Sequence, residues 1–593
     1  MSYVVPPLMK YNVVSPQEYM KYHAESVREI EKFWAAQALQ LKWTRRWSQT
    51  RGGEGFHARW FTEGLIDAYY NVIGRHLSLG LGDRPAVIVE WEDGTAQVAT
   101  FLDLDRASRR AASVMQELGV RPGDWVAILA PQSLEATVAL LGAFRVGAAV
   151  ETLFTGWGWW ELHKRLRRRQ PKLVVAFAEM QRRGKKIDLL SPLLRALEKL
   201  DERPELFLVG GSHSLGRPFE DLVSGSLHES SLPFPADGPL VGFHAGYEDD
   251  FRPITHPAGG YLVQVNAVSR WVGMRPRDTV FCTVSLGWIT GVSHCLLGAL
   301  MVGSTALFYN GSPDQPSWER WLEVLDNYAA TLFITTSTAL RLLKKNLERV
   351  KGYNLDALKA VIVTGEPLEE SLWRWLYAEV GTGSSPMIDS VPGRTGRIPV
   401  FNTYIQTELG TFVTGNLLNL AFAPILPGAA GLPIWGFDLD VVEEGGRSLR
   451  GKRGRLVVKK PWPSLPLEPL PMWGEYYDAG DEAVMNEDGY LTVLGRADGV
   501  IKTSGFRLSP GAIEDALESA GRARGAIAFG LPDSTRFELV GVAIEDGEPE
   551  EVRRAVRELV GPIAEPSYIS RETVEGDKRW GRRLLRERAA AGR

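Results

Sequence analysis

Cysteine is nearly absent from this chain, with Cys282 and Cys295 the only two. A disulfide framework and Cys-rich zinc sites are thereby excluded, and a reducing, cytoplasmic location is expected. The nine histidines are scattered, with no HxH, HExxH or Cys/His grouping to hold a metal. The serine-hydrolase elbow GxSxG, a GxGxxG turn after a strand and an intact GxxxxGKS/T loop are missing as well. No charge sign dominates. The 68 basic and 72 acidic residues leave a net charge of −4, which argues against a nucleic acid or a membrane surface as partner. Long hydrophobic runs are also lacking. The best, Val126 to Val150, is broken by Glu135 and Arg145, so it reads as strand, turn, helix and strand rather than as a membrane span. The opening MSYVVPPLMKYNVV has no basic segment leading into an apolar core, and no signal peptide is expected.

What is present is the material for a large core. Hydrophobic residues make up 44% of the 593, with 19 Trp, 17 Tyr and 22 Phe, enough for two to four globular units. The start of the chain is Trp-rich and irregular (Trp34, Trp43, Trp47, Trp60), and 1–80 reads as an arm packed on the main body. From Ala86 the pattern alternates. Ala86 to Glu90 reads as a strand. Ala107, Ala111, Val114, Met115 and Leu118 fall at helical spacing. Trp125 to Leu129 reads as a strand, followed by a helix over 134–145. Apolar runs at 173–177, 279–284, 305–309, 331–335 and 360–363 continue the series. Strands alternating with helices predict an α/β fold with mostly parallel sheets. Two zones, 228–260 and 381–399, read as irregular. A boundary near Arg496–Asp498 separates a large N-terminal part, 81–497, from a small α+β unit, 498–593.

Four segments carry chemistry: Cys282–Leu300 (CTVSLGWITGVSHCLLGAL), Val363–Pro367 (VTGEP), Asn402–Gly410 (NTYIQTELG) and Tyr476–Leu508, which contains YYDAGDEA, EDGY, LGRADGVIK and SGFRL. Each alone is a common strand-to-loop junction. In this order and spacing they resemble the AMP-forming acyl-CoA synthetases of the adenylate-forming superfamily, and most closely the acetyl-CoA/propionyl-CoA synthetase branch. The likeness runs from FTEGLIDAYYNVIGRH (61–76) to GRRLLRE (581–587). It implies a large multi-subdomain N-terminal domain with mostly parallel sheets and a small hinged C-terminal one. It also implies a two-step reaction. A carboxylate attacks the α-phosphate of ATP to give an acyl-adenylate and pyrophosphate, and the thiol of CoA then displaces AMP.

By the same resemblance, Gly365, Glu366 and Pro367, with Asn402 and Thr403, bind the nucleotide. Thr407 is the hydroxyl on phosphate and Glu408 the Mg²⁺ carboxylate. Asp481 takes the ribose hydroxyls, with Arg496 beside it. Asp498 is the hinge, and Arg507 reaches the nucleotide phosphate. Arg182 and Lys185 grip the CoA phosphates. Ile289, Thr290, Thr364 and Ile405 wall the acyl pocket. Acetate-specific members carry Trp where this chain has Ile405, so an acid larger than acetate is expected. The structural alternatives are a helix-start carboxylate for Glu408, a plain ion pair for Asp481 and Arg496, and solvated charges for Arg182 and Lys185.

Two segments depart from the family pattern. The phosphate loop, approximately TSGSTGKPKG in the family, is matched by Ala245–Ile254, AGYEDDFRPI, in which Glu248, Asp249 and Asp250 replace the hydroxyl and lysine chemistry. Gly246 and Arg252 alone keep something of the original. Near the C-terminus the family's catalytic lysine is matched by Arg579, with Lys578 one residue before, and Arg is not a conservative exchange for it. Three readings follow: an active acyl-CoA synthetase; a relative that binds AMP or acyl-CoA and serves as a regulatory or scaffold partner; or an enzyme of altered chemistry. The Arg-rich run 164–172 reads as a helix with one buried face, and a partner subunit or homo-oligomer is left open.

Overall fold

The computed structural model describes residues 3–5, 13–228, 230–247, 251–347, 350, 352–381, 397–497, 499–572 and 578–591, apart from the side chains of 578–580 and 591. Glu248, Asp249, Asp250 and Asp498, the side chains of Lys578 and Arg579, and most of the 381–399 loop lie outside the described residues.

Two seven-stranded sheets form the body. The first runs in the order Arg217–Pro218, Glu205–Val209, Leu173–Phe177, Trp125–Leu129, Ala149–Leu153, Pro239–Gly246, Phe251–Pro257. The second runs Val400–Asn402, Ala360–Thr364, Leu332–Thr336, Thr279–Cys282, Thr305–Asn310, Pro85–Trp91, Ala96–Thr100. In each sheet only the last strand is antiparallel to its neighbour. The reason is in the sequence. Runs such as LVVAF (173–177) and AVIVT (360–364) are buried along their whole length, which suits parallel strands covered on both faces.

Helices fill the crossovers, and their starts are locally specified. Thr100 and Asp103 form a reciprocal capping box for Phe101–Glu117, and Ser133 caps Leu134–Arg145. The charge that interrupts the longest apolar run, Arg145, is buried. It pairs with Asp105 and lies 3.4 Å from the centre of the Tyr69 ring.

The zone 228–260 is more regular than its composition suggests. Pro239–Gly246 and Phe251–Pro257 form a long antiparallel hairpin, and the helix Ala258–Trp271 follows at once. The prolines sit at strand ends or on the edge strand, where a missing N–H costs no ladder bond. The arginine run braces this hairpin. Arg169 donates to the Phe243 and Ile254 carbonyls at 3.2 and 3.1 Å and pairs with Glu151 at 2.6 Å. Arg168 donates to the Phe251 carbonyl.

The N-terminal helices Pro16–Arg28 and Ile30–Ala38 lie against the 436–437 turn. His23 bonds the Phe437 carbonyl at 2.7 Å and Trp34 that of Gly436 at 3.2 Å. An antiparallel sheet built on Arg453–Val458, Tyr476–Met485 and Leu491–Arg496 precedes the last unit. That unit has the hairpin Ile501–Thr503/Phe506–Leu508, a three-stranded sheet (Ile527–Asp533, Phe537–Ile544, Tyr568–Arg571) and the helices Pro510–Ser519, Pro549–Leu559 and Lys578–Ala591.

The small unit is docked. Trp159 joins its core with Ile501, Leu508 and Leu559, and Gly158 N–H donates to the Val560 carbonyl at 2.9 Å. A side chain at Gly158 would press into the backbone of Glu558 and Leu559.

The cysteines correct one expectation. Two are too few for a framework, but Cys282 and Cys295 are joined in a disulfide with Cα atoms 5.7 Å apart. Both are fully buried. Spacing in the sequence carried no sign of this, because Cys282 ends a strand and Cys295 lies in the helical segment Gly291–Gly298, and only the fold brings them together.

Candidate functional site

The parallel strands of the second sheet end on a cavity of about 990 Å³. Such a crevice at the carboxyl ends of strands is where open α/β sheets bind ligands. The small unit closes it from the other side with Lys502, Gly505, Phe506, Arg507 and Arg536.

One end is electrostatic. Asp481 and Arg496 face each other across neighbouring strands, with Arg496 Nη1 3.3 Å from Asp481 Oδ2. The same oxygen accepts from Tyr404 Oη at 2.5 Å and Gln406 Nε2 at 3.1 Å. Asp481 Oδ1 is buried without a partner. The pair is therefore an ion pair, as the structural alternative held, but within one sheet and on the cavity wall. Glu408 is fully buried. Arg507 Nη1 donates to both its oxygens, at 3.1 and 3.0 Å, and the Tyr247 phenol donates at 2.7 Å. Burial alone would raise the Glu408 pKa, but Arg507 and Tyr247 outweigh it and hold the carboxyl below its usual range. Thr407 lines the cavity beside it.

Gly365, Glu366 and Pro367 form the turn after Ala360–Thr364. Gly365 has φ +86, a conformation that a side chain would strain. Glu366 is held on all sides, by Thr338 at 2.6 Å, Arg341 at 3.0 Å and the Gly505 N–H of the docked hairpin. With Asn402 and Thr403 these residues line a recess of about 20 Å³ that adjoins the main cavity, and Lys502 borders both.

The middle of the cavity is aromatic. Phe506 of the small unit meets Phe154 at 4.7 Å and Trp288 at 4.2 Å between ring centres, and Phe154 meets Trp157 at 5.8 Å. Ile289, Thr290, Thr364 and Ile405 line the inner part. At the outer mouth stand Arg182, Arg183, Arg195 and Arg557, and Arg195 pairs with Glu558 across the unit junction. Lys185 opposes Arg182 in a short hairpin but is exposed and does not line the cavity. Of the two residues expected to act together, which are neighbours across this hairpin, Arg182 is the one in the cavity lining. Arg579 belongs to the helix Lys578–Ala591, which is fastened to the rest of the small unit by Arg582–Glu514 and Arg586–Glu538 pairs.

Comparison with known proteins follows this geometry. A family profile described as AMP-binding enzyme matches residues 75–221 and 253–465, more than half of the chain. The chain belongs to this family. A second profile, acetyl-coenzyme A synthetase N-terminus, matches 19–72. The acetyl-coenzyme A synthetase of Deinococcus radiodurans is 32% identical over 97% of this chain and 92% of its own length. That of Pyrobaculum aerophilum is 31% identical over 93% and 87%. The acetoacetyl-CoA synthetase from Streptomyces lividans shares the fold, with a TM-score of 0.73 over 93% of this chain and 86% of that one at 22% identity. The chain is thus an enzyme of the AMP-forming acyl-CoA synthetase type. The scaffold reading finds no support among these relatives, which are named as synthetases.

Sequence reasoning passed over two site residues. Tyr247 lay inside the degenerate loop, where Gly246, Arg252 and the three carboxylates drew notice, yet it bonds Glu408. Lys502 is almost fully buried and sits in LGRADGVIK, a motif read for its Arg and Asp. Burial drives its pKa down, and the opposing pull of Asp481 and Glu366 does not restore it. A lysine at a cavity wall with no ion pair among the described residues was the signal, and it is visible only in three dimensions.

Proposed function

We propose that the protein is an ATP-dependent acid–thiol ligase that activates a short-chain carboxylic acid larger than acetate as its adenylate and passes the acyl group to CoA. The observation that carries this reading is one cavity lined by Arg182, Arg183, Arg195 and Arg557, by the rings of Phe154, Trp288 and Phe506, and by Ile289 and Ile405 together with the Asp481–Arg496 pair. These three parts suit the phosphates of CoA, its pantetheine arm, and an acyl group next to a nucleotide.

In this reading the free Asp481 Oδ1 accepts from ribose, and the 365–367 turn with Asn402 and Thr403 takes the base. Glu408 fits a Mg²⁺ ion, which needs only one or two carboxylates when phosphate oxygens supply the rest. The ion would neutralise phosphate charge during adenylation. Its place on Glu408 is filled by Arg507 in the docked arrangement, so this arrangement is the one suited to thioester formation. Thr407 and Arg507 orient phosphate oxygens, and the aromatic rings exclude water from the adenylate carbonyl. Arg182 serves the CoA phosphates without Lys185. Asp498 remains the proposed hinge and Arg579 the proposed counterpart of the adenylation lysine.

The test is ATP–pyrophosphate exchange with Mg²⁺ and a set of short-chain acids, without CoA, followed by CoA-dependent AMP release. Acid-dependent exchange is expected, and its absence with every acid would overturn the reading. Ile405 supports the size assignment because an Ile leaves room that a Trp ring would fill. Ile405→Trp is expected to shift kcat/KM toward acetate by about tenfold or more. Unchanged selectivity would remove the argument for a larger acid.

A further inference from the structure

We infer that the acid carries an oxygen substituent, a hydroxyl or oxo group on carbon 2 or 3, and that the Thr364 hydroxyl recognises it. The inference rests on the reading of the cavity as an acyl-CoA ligase site and narrows its substrate class.

Four of the threonines in the cavity lining stand at or just after the carboxyl ends of strands: Thr283, Thr336, Thr338 and Thr364. Three of their hydroxyls are in use. Thr283 donates to Thr335 at 2.9 Å. Thr336 accepts from the Ala339 N–H at 3.4 Å, as a helix cap. Thr338 donates to Glu366 at 2.6 Å. The Thr364 hydroxyl is buried and has no partner, in a residue only 1% exposed. Buried polar side-chain atoms are satisfied in the large majority of cases, and an exception calls for a reason.

The surroundings identify that reason. Ile405 and Ile289 line the same part of the cavity, and no described group bonds the Thr364 hydroxyl. Ile405 leaves space beyond an acetyl group. A purely alkyl acid would fill the space and keep Thr364 Oγ1 dry and unpaired, which penalises binding. An acid with an oxygen there would supply the missing bond. A hydroxyl can donate or accept, so Thr364 serves an alcohol or a ketone.

The experiment compares kcat/KM in matched pairs that differ by hydroxyl against methyl: lactate with 2-methylpropanoate, and 3-hydroxybutanoate with 3-methylbutanoate. The expected result is a preference of about tenfold to a hundredfold for the oxygenated member of at least one pair. Thr364→Val keeps the side-chain shape. It is expected to abolish that preference, and Thr364→Ser is expected to retain it. Exchange with alkyl acids and no preference for oxygen would overturn this inference and leave the ligase reading standing. A preference unaffected by Thr364→Val would assign recognition to another group and overturn the role of Thr364. Exchange with no acid at all would overturn both readings.

Discussion

At the scale of the residue, part of the cavity's positive charge comes from the small unit. The docked small unit supplies Arg507 and Lys502 to the lining. Arg507 is committed to Glu408, but Lys502 lines the cavity near Asp481 without an ion pair among the described residues. A role for its ammonium in stabilising the phosphate of departing AMP is tested by removing the charge. Lys502→Met is expected to slow CoA-dependent AMP release about tenfold to a hundredfold and to change pyrophosphate exchange far less. Because its pKa lies below that of an ordinary lysine, the wild-type thioester step should lose rate on the alkaline side earlier than a free lysine would dictate, and Lys502→Met should lack that limb. Equal losses in both half-reactions would show that Lys502 has no part specific to the second step.

At the scale of the element, the junction between units is set by glycine. Gly158 lets the start of the helix Trp159–Arg169 approach the Glu558–Leu559 backbone. A side chain there works as a wedge. Gly158→Leu is expected to suppress thioester formation by about tenfold or more while pyrophosphate exchange persists, since only the docked arrangement brings these backbones together. Parallel loss of both activities would mean that the substitution damages the main body instead.

The elements also show what the sequence disclosed. The apolar runs of the two large sheets were legible, because strands buried on both faces are written as continuous hydrophobic stretches. The 239–257 hairpin was hidden, because its prolines and glycines read as loop until their places at strand ends are known. Gly365, Asp481 and Arg496 were found through motif order. Tyr247 and Lys502 were not, since a single tyrosine or lysine acquires meaning only from what the fold sets around it.

At the scale of the whole molecule, the core contains groups that must stay neutral. His294 is fully buried and stacked on Phe412 at 3.9 Å. It accepts the Phe412 N–H at Nε2, which leaves Nδ1–H to donate to Ser269. Burial holds its pKa at about 3, and that of His76 at about 4. Unfolded histidines bind protons near pH 6.5, so between that value and the folded ones the unfolded chain holds more protons. Stability from these sites is complete above about pH 6.5 and is lost progressively as pH falls toward 4 and then 3. Thermal unfolding followed from pH 8 to pH 4 should show a falling Tm that His294→Gln flattens. A slope unchanged by that substitution would assign acid sensitivity to other groups.

The Cys282–Cys295 bond closes a ring of chain around Ile289 and Thr290, while Thr364 and Ile405 reach the same cavity from segments with no such tether. The two walls therefore differ in how they can vary. On the ringed wall, an inserted or deleted residue must be absorbed within a closed circuit. On the open wall, a single side-chain exchange alters the volume or polarity of the pocket and leaves the path of the backbone alone. Diversification of acid preference, in nature or by design, is thereby channelled to positions 364 and 405.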